Sequence, residues 1–283
     1  MQKFILVKLY FLHLLKKKSQ ISLLSLKNAK EPLVNDILFL LLGLCVGSFV
    51  NVLILRTINK ESIISPRSKC PKCFKTLKFY HLFPLLSFVF LKGKCVFCKE
   101  RISLIYPFNE FICACLFVFA FYLIEDVFQI LIFACMLAVL LALSWMDYYL
   151  KAVSELWLWI LFVLAFCFDF LQNGLNLEDF QDSFLFRVCF GAGLIFILKS
   201  VINFIKNFKK RDEILESLGE GDVIIIALIF GIFGYEKGFL ILFIASFLSL
   251  LMFIKIAKKD YQMPMIPFLF CGILINLSVE SIL

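Results

Sequence analysis

The run "DILFLLLGLCVGSFVNVLIL" at 36–55 carries one charge, at its first position. About 20 such residues cross a bilayer core of about 30 Å as a helix. In lipid the backbone must satisfy its own hydrogen bonds, so each run of this kind is constrained to be helical. Comparable runs recur at about 109–125, 128–146, 154–172, 184–203, 221–235, 238–254 and 263–282. The chain therefore reads as an all-α polytopic membrane protein of about eight transmembrane helices. Its composition agrees: 62% hydrophobic and 18% charged, where a soluble domain is nearer half apolar and a quarter charged.

The net charge of +8 does not call for nucleic acid, because Lys and Arg gather in a few loops. Residues 56–101 are basic, as are 199–211 and the connection holding Lys255, Lys258 and Lys259. The connection "QNGLNLEDFQD" is acidic. Alternation along eight spans puts the three basic loops on one side, which the positive-inside rule makes cytoplasmic. The basic segment 1–34 falls on the opposite side in this topology. It reads either as an interfacial amphipathic helix or as an upstream extension without function. Three parts follow: the extension 1–34, a first span plus polar loop at 35–108, and a membrane domain at 109–283.

Of eleven cysteines, four form two C-x-x-C pairs in the loop between the first two spans: Cys70 with Cys73, and Cys95 with Cys98. Two such knuckles can close a tetrahedral four-thiolate site, so the loop is expected to bind one structural zinc on the cytoplasmic side. With no open ligand position, the metal would fold a loop too small for its own core. A redox dithiol pair is the competing reading.

Two acids stand out. Asp147, in "LALSWMDYYLKAVSELW", ends one span; Asp222, in "LESLGEGDVIIIALIFGIFG", opens another. Alternation places both near the cytoplasmic face. Alone, Asp222 reads equally well as a helix N-cap and Asp147 as a solvated helix-end acid. As a pair they suit aspartic-protease chemistry, in which two close carboxylates share a proton and work as base and acid. Gly219 and Gly221 permit a close backbone approach. Glu110 reads either as a first-turn acid favoured by the helix dipole or as a substrate contact. Glu155 and Glu216 are further acids that could attract a basic substrate. Asp169, near the outer end of its span, is expected to pair or snorkel. The alternative function is a proton-coupled transporter, since membrane acids also build proton relays.

Several ordered motifs over about 43–282 resemble the bacterial type IV prepilin peptidases: "GSFVNVLILR", "PRSKCPKC" through "LKGKCVFC" to "RISLIYPFNE", "DYYLKAVSELW", "LGEGDVIIIALIFGIFG" and "MIPFLFCGIL". The resemblance implies an inner-membrane aspartic endopeptidase that removes the short basic leader of prepilins or pseudopilins after a glycine. It implies catalysis by Asp147 and Asp222 and zinc on Cys70, Cys73, Cys95 and Cys98. It also implies N-methylation of the new terminus with S-adenosylmethionine, an activity associated with the long cysteine loop. Membrane lipid is the other expected partner. Two positions depart from the family pattern. Ser154-Glu155 stands where Pro-Asp is usual, and Ile224 where a lysine commonly follows the aspartate.

Overall fold

In the computed structural model, residues 30–63, 65, 67–78, 82–174, 180–208, 219–256 and 262–281 are described. Eight α-helices are defined among them: α1 Lys30–Ile58, α2 Leu86–Phe90, α3 Ile105–Leu123, α4 Val127–Leu150, α5 Glu155–Asn173, α6 Phe184–Asn207, α7 Glu220–Ile256 and α8 Ile266–Glu280. Residues 40–283 form one compact unit, to which the contacts below belong. The extension at 1–29 lies outside the described residues, and residues 30–34 already belong to α1.

Each of the eight expected spans falls on a helix. Among the described residues six helices are long and apolar enough to cross a membrane, α7 among them, and α8 is a shorter apolar one. The 37-residue α7 is two limbs broken at Gly234, whose φ of 75° and ψ of −175° are not helical. In a straight helix, Phe230 and Phe239 would be about 13.5 Å apart along the axis and on opposite faces. Their ring centroids are 5.0 Å apart, so the chain doubles back at Gly234. A positive φ costs glycine nothing, which is why the reversal sits there. The largest shift from expectation is the start of α1, at Lys30 rather than 36; α3 starts at Ile105 rather than 109. Pro107 fits the first helical turn, where an N–H would have no intrahelical partner anyway.

Helix ends are set locally. Asp126 accepts the Gln129 N–H (2.9 Å) to open α4, a side-chain N-cap. Lys151 closes α4 in the left-handed conformation. Gly174, also at positive φ, follows α5. Arg56 ends α1 by donating to the Ser62 and Ile63 carbonyls at 2.8 and 2.6 Å.

The buried centre is α4, which packs on α3, α5 and α8, while α7 packs on α5, α6 and α8. Lipid gives apolar helices no hydrophobic reason to associate, so small residues that admit close backbone contact do much of the work. A Cβ on Gly43 would lie 2.6 Å from the Ala114 Cα, and one on Gly47 would lie 2.6 Å from the Glu110 Cα. This Gly-x-x-x-Gly stripe lets α1 lie directly on α3. Towards the other end of the bundle Asp169 pairs with Arg187 (2.7 Å), joining α5 to α6.

Candidate active site and cysteine cluster

Asp147 and Asp222 reach one place from two helices. Asp147 lies in the last turn of α4, buried. Its Oδ2 accepts the Ile266 N–H at 3.1 Å, at the start of α8, where helix N–H groups have no partners of their own and the dipole favours an anion. Asp222 is the third residue of α7 and reaches back to accept the Gly219 N–H, the return half of a capping box. It is therefore not the N-cap itself, which was one reading of the sequence. The two carboxylates lie within electrostatic reach of each other.

A common depth follows from the contacts. The Ile266 N–H at the start of α8 donates to Asp147 in the last turn of α4, and the Asp147 carboxylate acts on that of Asp222 at the start of α7. Both helix starts therefore sit at the level to which α4, running the other way, delivers Asp147. At the opposite end Lys237, just past the Gly234 reversal, pairs with Glu280 at the end of α8.

Two cations attend the pair. Lys151 interacts electrostatically with Asp147, and Lys199 of α6 with Asp222. The register explains the second contact: Gly191 packs on Ala227 and Phe230, so the antiparallel α6 brings its 195–199 turns to the start of α7. A helical side chain leans toward its own N-terminus, which points Lys199 back at Asp222. Ile224 is 40% exposed and sits about 200° around α7 from Asp222. A cation at 224 would leave that position facing away, whereas Lys199 reaches the carboxylate from another helix.

The remaining acids and glycines separate. Gly219 lies against the Asp222 carboxylate. A Cβ on Gly221 would lie 2.2 Å from Val153 Cγ2, so the space beside Gly221 holds the α4–α5 link. Glu155 is the exposed first residue of α5, after Ser154. Glu110 is not in a first turn. It is the buried sixth residue of α3, accepting the Leu85 N–H (2.8 Å) and bonding Ser48. Glu216 lies outside the described residues.

One polar chain escaped the sequence reading. Trp145 Nε1 donates to Asn109 Oδ1 (2.8 Å), Asn109 Nδ2 to Asn51 Oδ1 (2.9 Å), and Asn51 Nδ2 to the Tyr106 carbonyl (2.9 Å). It locks α1, α3 and α4 together two residues before Asp147. The signal was present as asparagines inside apolar runs, where an unbonded amide is costly.

The two cysteine knuckles are one turn built twice. In the first, the Cys70 N–H donates to the Lys75 carbonyl and the Phe74 N–H to the Cys70 carbonyl (3.0 and 2.9 Å). In the second, Cys95 pairs with Glu100 and Lys99 with Cys95 (2.8 and 3.1 Å). Phe74 and Lys99, each just after the second cysteine, both adopt positive φ. Single bridges, Lys69 to Thr76 and Lys94 to Arg101, close the bases of the two turns. All four Sγ atoms lie within 4.8 Å of one another, and Cys70 and Cys98 are 3.8 Å apart. A tetrahedral ion with metal–sulfur bonds of about 2.3 Å needs sulfurs about 3.8 Å apart, so the cluster fits a metal ion. The Cys98 N–H, which outweighs burial, brings the Cys95 thiol down to about 7, with further help from the Phe97 N–H and the Cys70 and Cys98 thiols. A thiolate is the form that binds metal.

Residues 41–124 match the family described as the Bacterial Peptidase A24 N-terminal domain. The chain is 30% identical over 202 residues to a prepilin leader peptidase/N-methyltransferase of Myxococcus xanthus, covering 70% of this chain and 56% of that protein. It thus spans little more than half the length of that relative. It is 31% identical over 218 residues to the Vibrio cholerae protein of the same name, covering 71% of this chain and 78% of that protein. Over 82 residues it is 50% identical to the Bacillus subtilis protein of that name, covering 29% of this chain and 33% of that protein. No solved structure matches the chain. With most of a relative covered at this identity, and with the four-cysteine loop set between its first two spans, the chain belongs to the prepilin leader peptidase/N-methyltransferase family.

Proposed function

We propose that this protein is an aspartic endopeptidase of the bacterial inner membrane that removes the short basic leader of prepilins or pseudopilins on the cytoplasmic side. The observation that carries the reading is that two helices bring Asp147 and Asp222, 75 residues apart in sequence, within electrostatic reach, each held by a backbone N–H at a helix start. Two carboxylates that feel each other's charge favour holding one proton between them. The ionised member takes a proton from water as it attacks the scissile carbonyl, and the protonated member hydrogen-bonds the carbonyl oxygen. The proton then passes to the leaving amine. The N–H of Ile266 fixes the Asp147 carboxylate, while Lys151 and Lys199 balance charge in surroundings where two bare carboxylates would repel strongly.

The cytoplasmic placement rests on the basic loops. Exposed Glu155, with Glu216, would draw a basic leader toward the pair. Cys70, Cys73, Cys95 and Cys98 would hold one zinc ion, which supplies a crosslink that folds the loop. The relatives' names add N-methylation of the newly exposed terminus, for which S-adenosylmethionine would be the methyl donor. The described residues include no glycine-rich nucleotide cradle, and no residue is assigned to that donor.

The test is incubation of the purified protein in lipid nanodiscs with a peptide carrying a short basic leader, a glycine and an apolar segment. Cleavage after the glycine is expected. An intact peptide alongside proton-coupled flux in vesicles would replace this reading with the transporter.

A further inference from the structure

The segment between the two cysteine knuckles is apolar on its outside. Leu82, Phe83, Leu86, Val89 and Phe90 are all exposed, Val89 at 68% and Phe90 at 81%. Helix α2 contains no buried residue. In water such a surface would be a liability.

Its position in depth is fixed by one hydrogen bond. The Leu85 N–H donates to Glu110 at 2.8 Å, and Glu110 is about 7.5 Å along α3 from the helix start. The outward face at the start of α3 is apolar on both sides of that level: Leu104, just before the helix, is 73% exposed, Phe108 55% and Phe111 57%. Leu85 is therefore held beside the part of α3 that faces acyl chains. Leu85 itself turns through a positive φ of 55° to start α2, and the chain leaves through Gly93, also at positive φ. Lysines bracket the segment, with Lys78 before it and Lys92 and Lys94 after it, all exposed.

We propose that residues 82–91 lie in the interfacial layer of the same bilayer that the helices span, with Phe83, Leu86, Val89 and Phe90 among acyl chains and the flanking lysines at anionic headgroups. The apolar outer face of α3 continues into this patch, which favours lipid over a protein partner. Short apolar segments with basic flanks bind interfaces in this way. The consequence is that the cysteine cluster, joined directly to this segment, is held against the membrane surface. The proposal rests on the membrane-spanning helices and not on the peptidase reading.

The test is photolabelling of the full-length protein in vesicles of phosphatidylethanolamine and phosphatidylglycerol. A phospholipid with a diazirine near the glycerol end of one chain is included, and peptides are analysed by mass spectrometry. The peptide ending at Lys92 should label about as strongly as residues 104–111, and residues 67–78 weakly. Val89→Lys with Phe90→Lys should cut labelling of 82–91 by roughly tenfold, the scale set by losing two large apolar side chains from the contact, while 104–111 stays labelled and serves as the control for insertion. Labelling of 82–91 no stronger than that of 67–78 overturns the proposal, as does unchanged labelling in the double variant. Loss of labelling on adding a prepilin-like peptide, or on raising the protein-to-lipid ratio, also overturns it by assigning the patch to substrate or to a second copy.

Discussion

Asp147 accepts a hydrogen bond from the backbone of Ile266, 3.1 Å away and 119 residues further along the chain. The contact joins the end of α4 to the start of α8, where Asp222 also arrives. A carboxylate at a helix N-terminus is held by geometry as well as charge, so its orientation does not depend on substrate.

If the two acids work as a unit, Asp147→Asn and Asp222→Asn should each lower the cleavage rate by about four orders of magnitude, and the double variant little further. Both variants should insert and purify normally. Steady-state cleavage of a prepilin-like peptide checks this. Near-parental activity in either folded variant would end the aspartic mechanism.

In the proposed mechanism the working state holds one proton on two carboxylates, so activity should fall on both the acid and alkaline sides of an optimum. A profile of kcat/KM against pH measures it. A rate that is flat from pH 4 to 9 would contradict a shared proton.

Lys199 should matter as a charge. Lys199→Met should reduce kcat by roughly tenfold, the scale of one nearby charge in poorly solvated surroundings, with KM little changed. Lys199→Arg should recover most of the rate. A merely structural role would be met about as well by methionine, an unbranched side chain of similar length without the charge.

Purified protein should carry about one zinc per chain, from the four-ligand rule. Cys95→Ser should lower metal content and thermal stability before it lowers peptide cleavage. Metal analysis beside a melting curve separates the two. Full stability and metal content in the serine variant would show that Cys95 is not a ligand.

Gly47→Leu should prevent proper packing of α1 on α3, because its first added atom already meets the Glu110 backbone at 2.6 Å. Overpacking costs about 1–3 kcal/mol or more where backbone cannot yield. Gly193→Leu, which meets nothing within 4 Å, should be tolerated. Unfolding in mild detergent compares them.

Much of this protein is written in local patterns. The length of each apolar run determined a helix, because lipid leaves the backbone no other partner. The C-x-x-C spacing determined two knuckles, because each closes within six residues. The glycines and acids of "GEGD" marked the start of α7. What the sequence could not settle were meetings between distant residues. Glu110 could be read as a helix-start acid or a substrate contact, but its use to anchor the loop depends on where Leu85 comes to lie. Ile224 suggested a missing charge, and only the packing of α6 on α7 brings Lys199 to the same carboxylate. Gly221 looked like an opening until Val153 was placed beside it. The sequence by itself determined the spans, the knuckles and the two acids, since these depend on neighbours within a turn or two. The tertiary structure alone decided what those acids touch, because a hydrogen bond across 119 residues has no local signature.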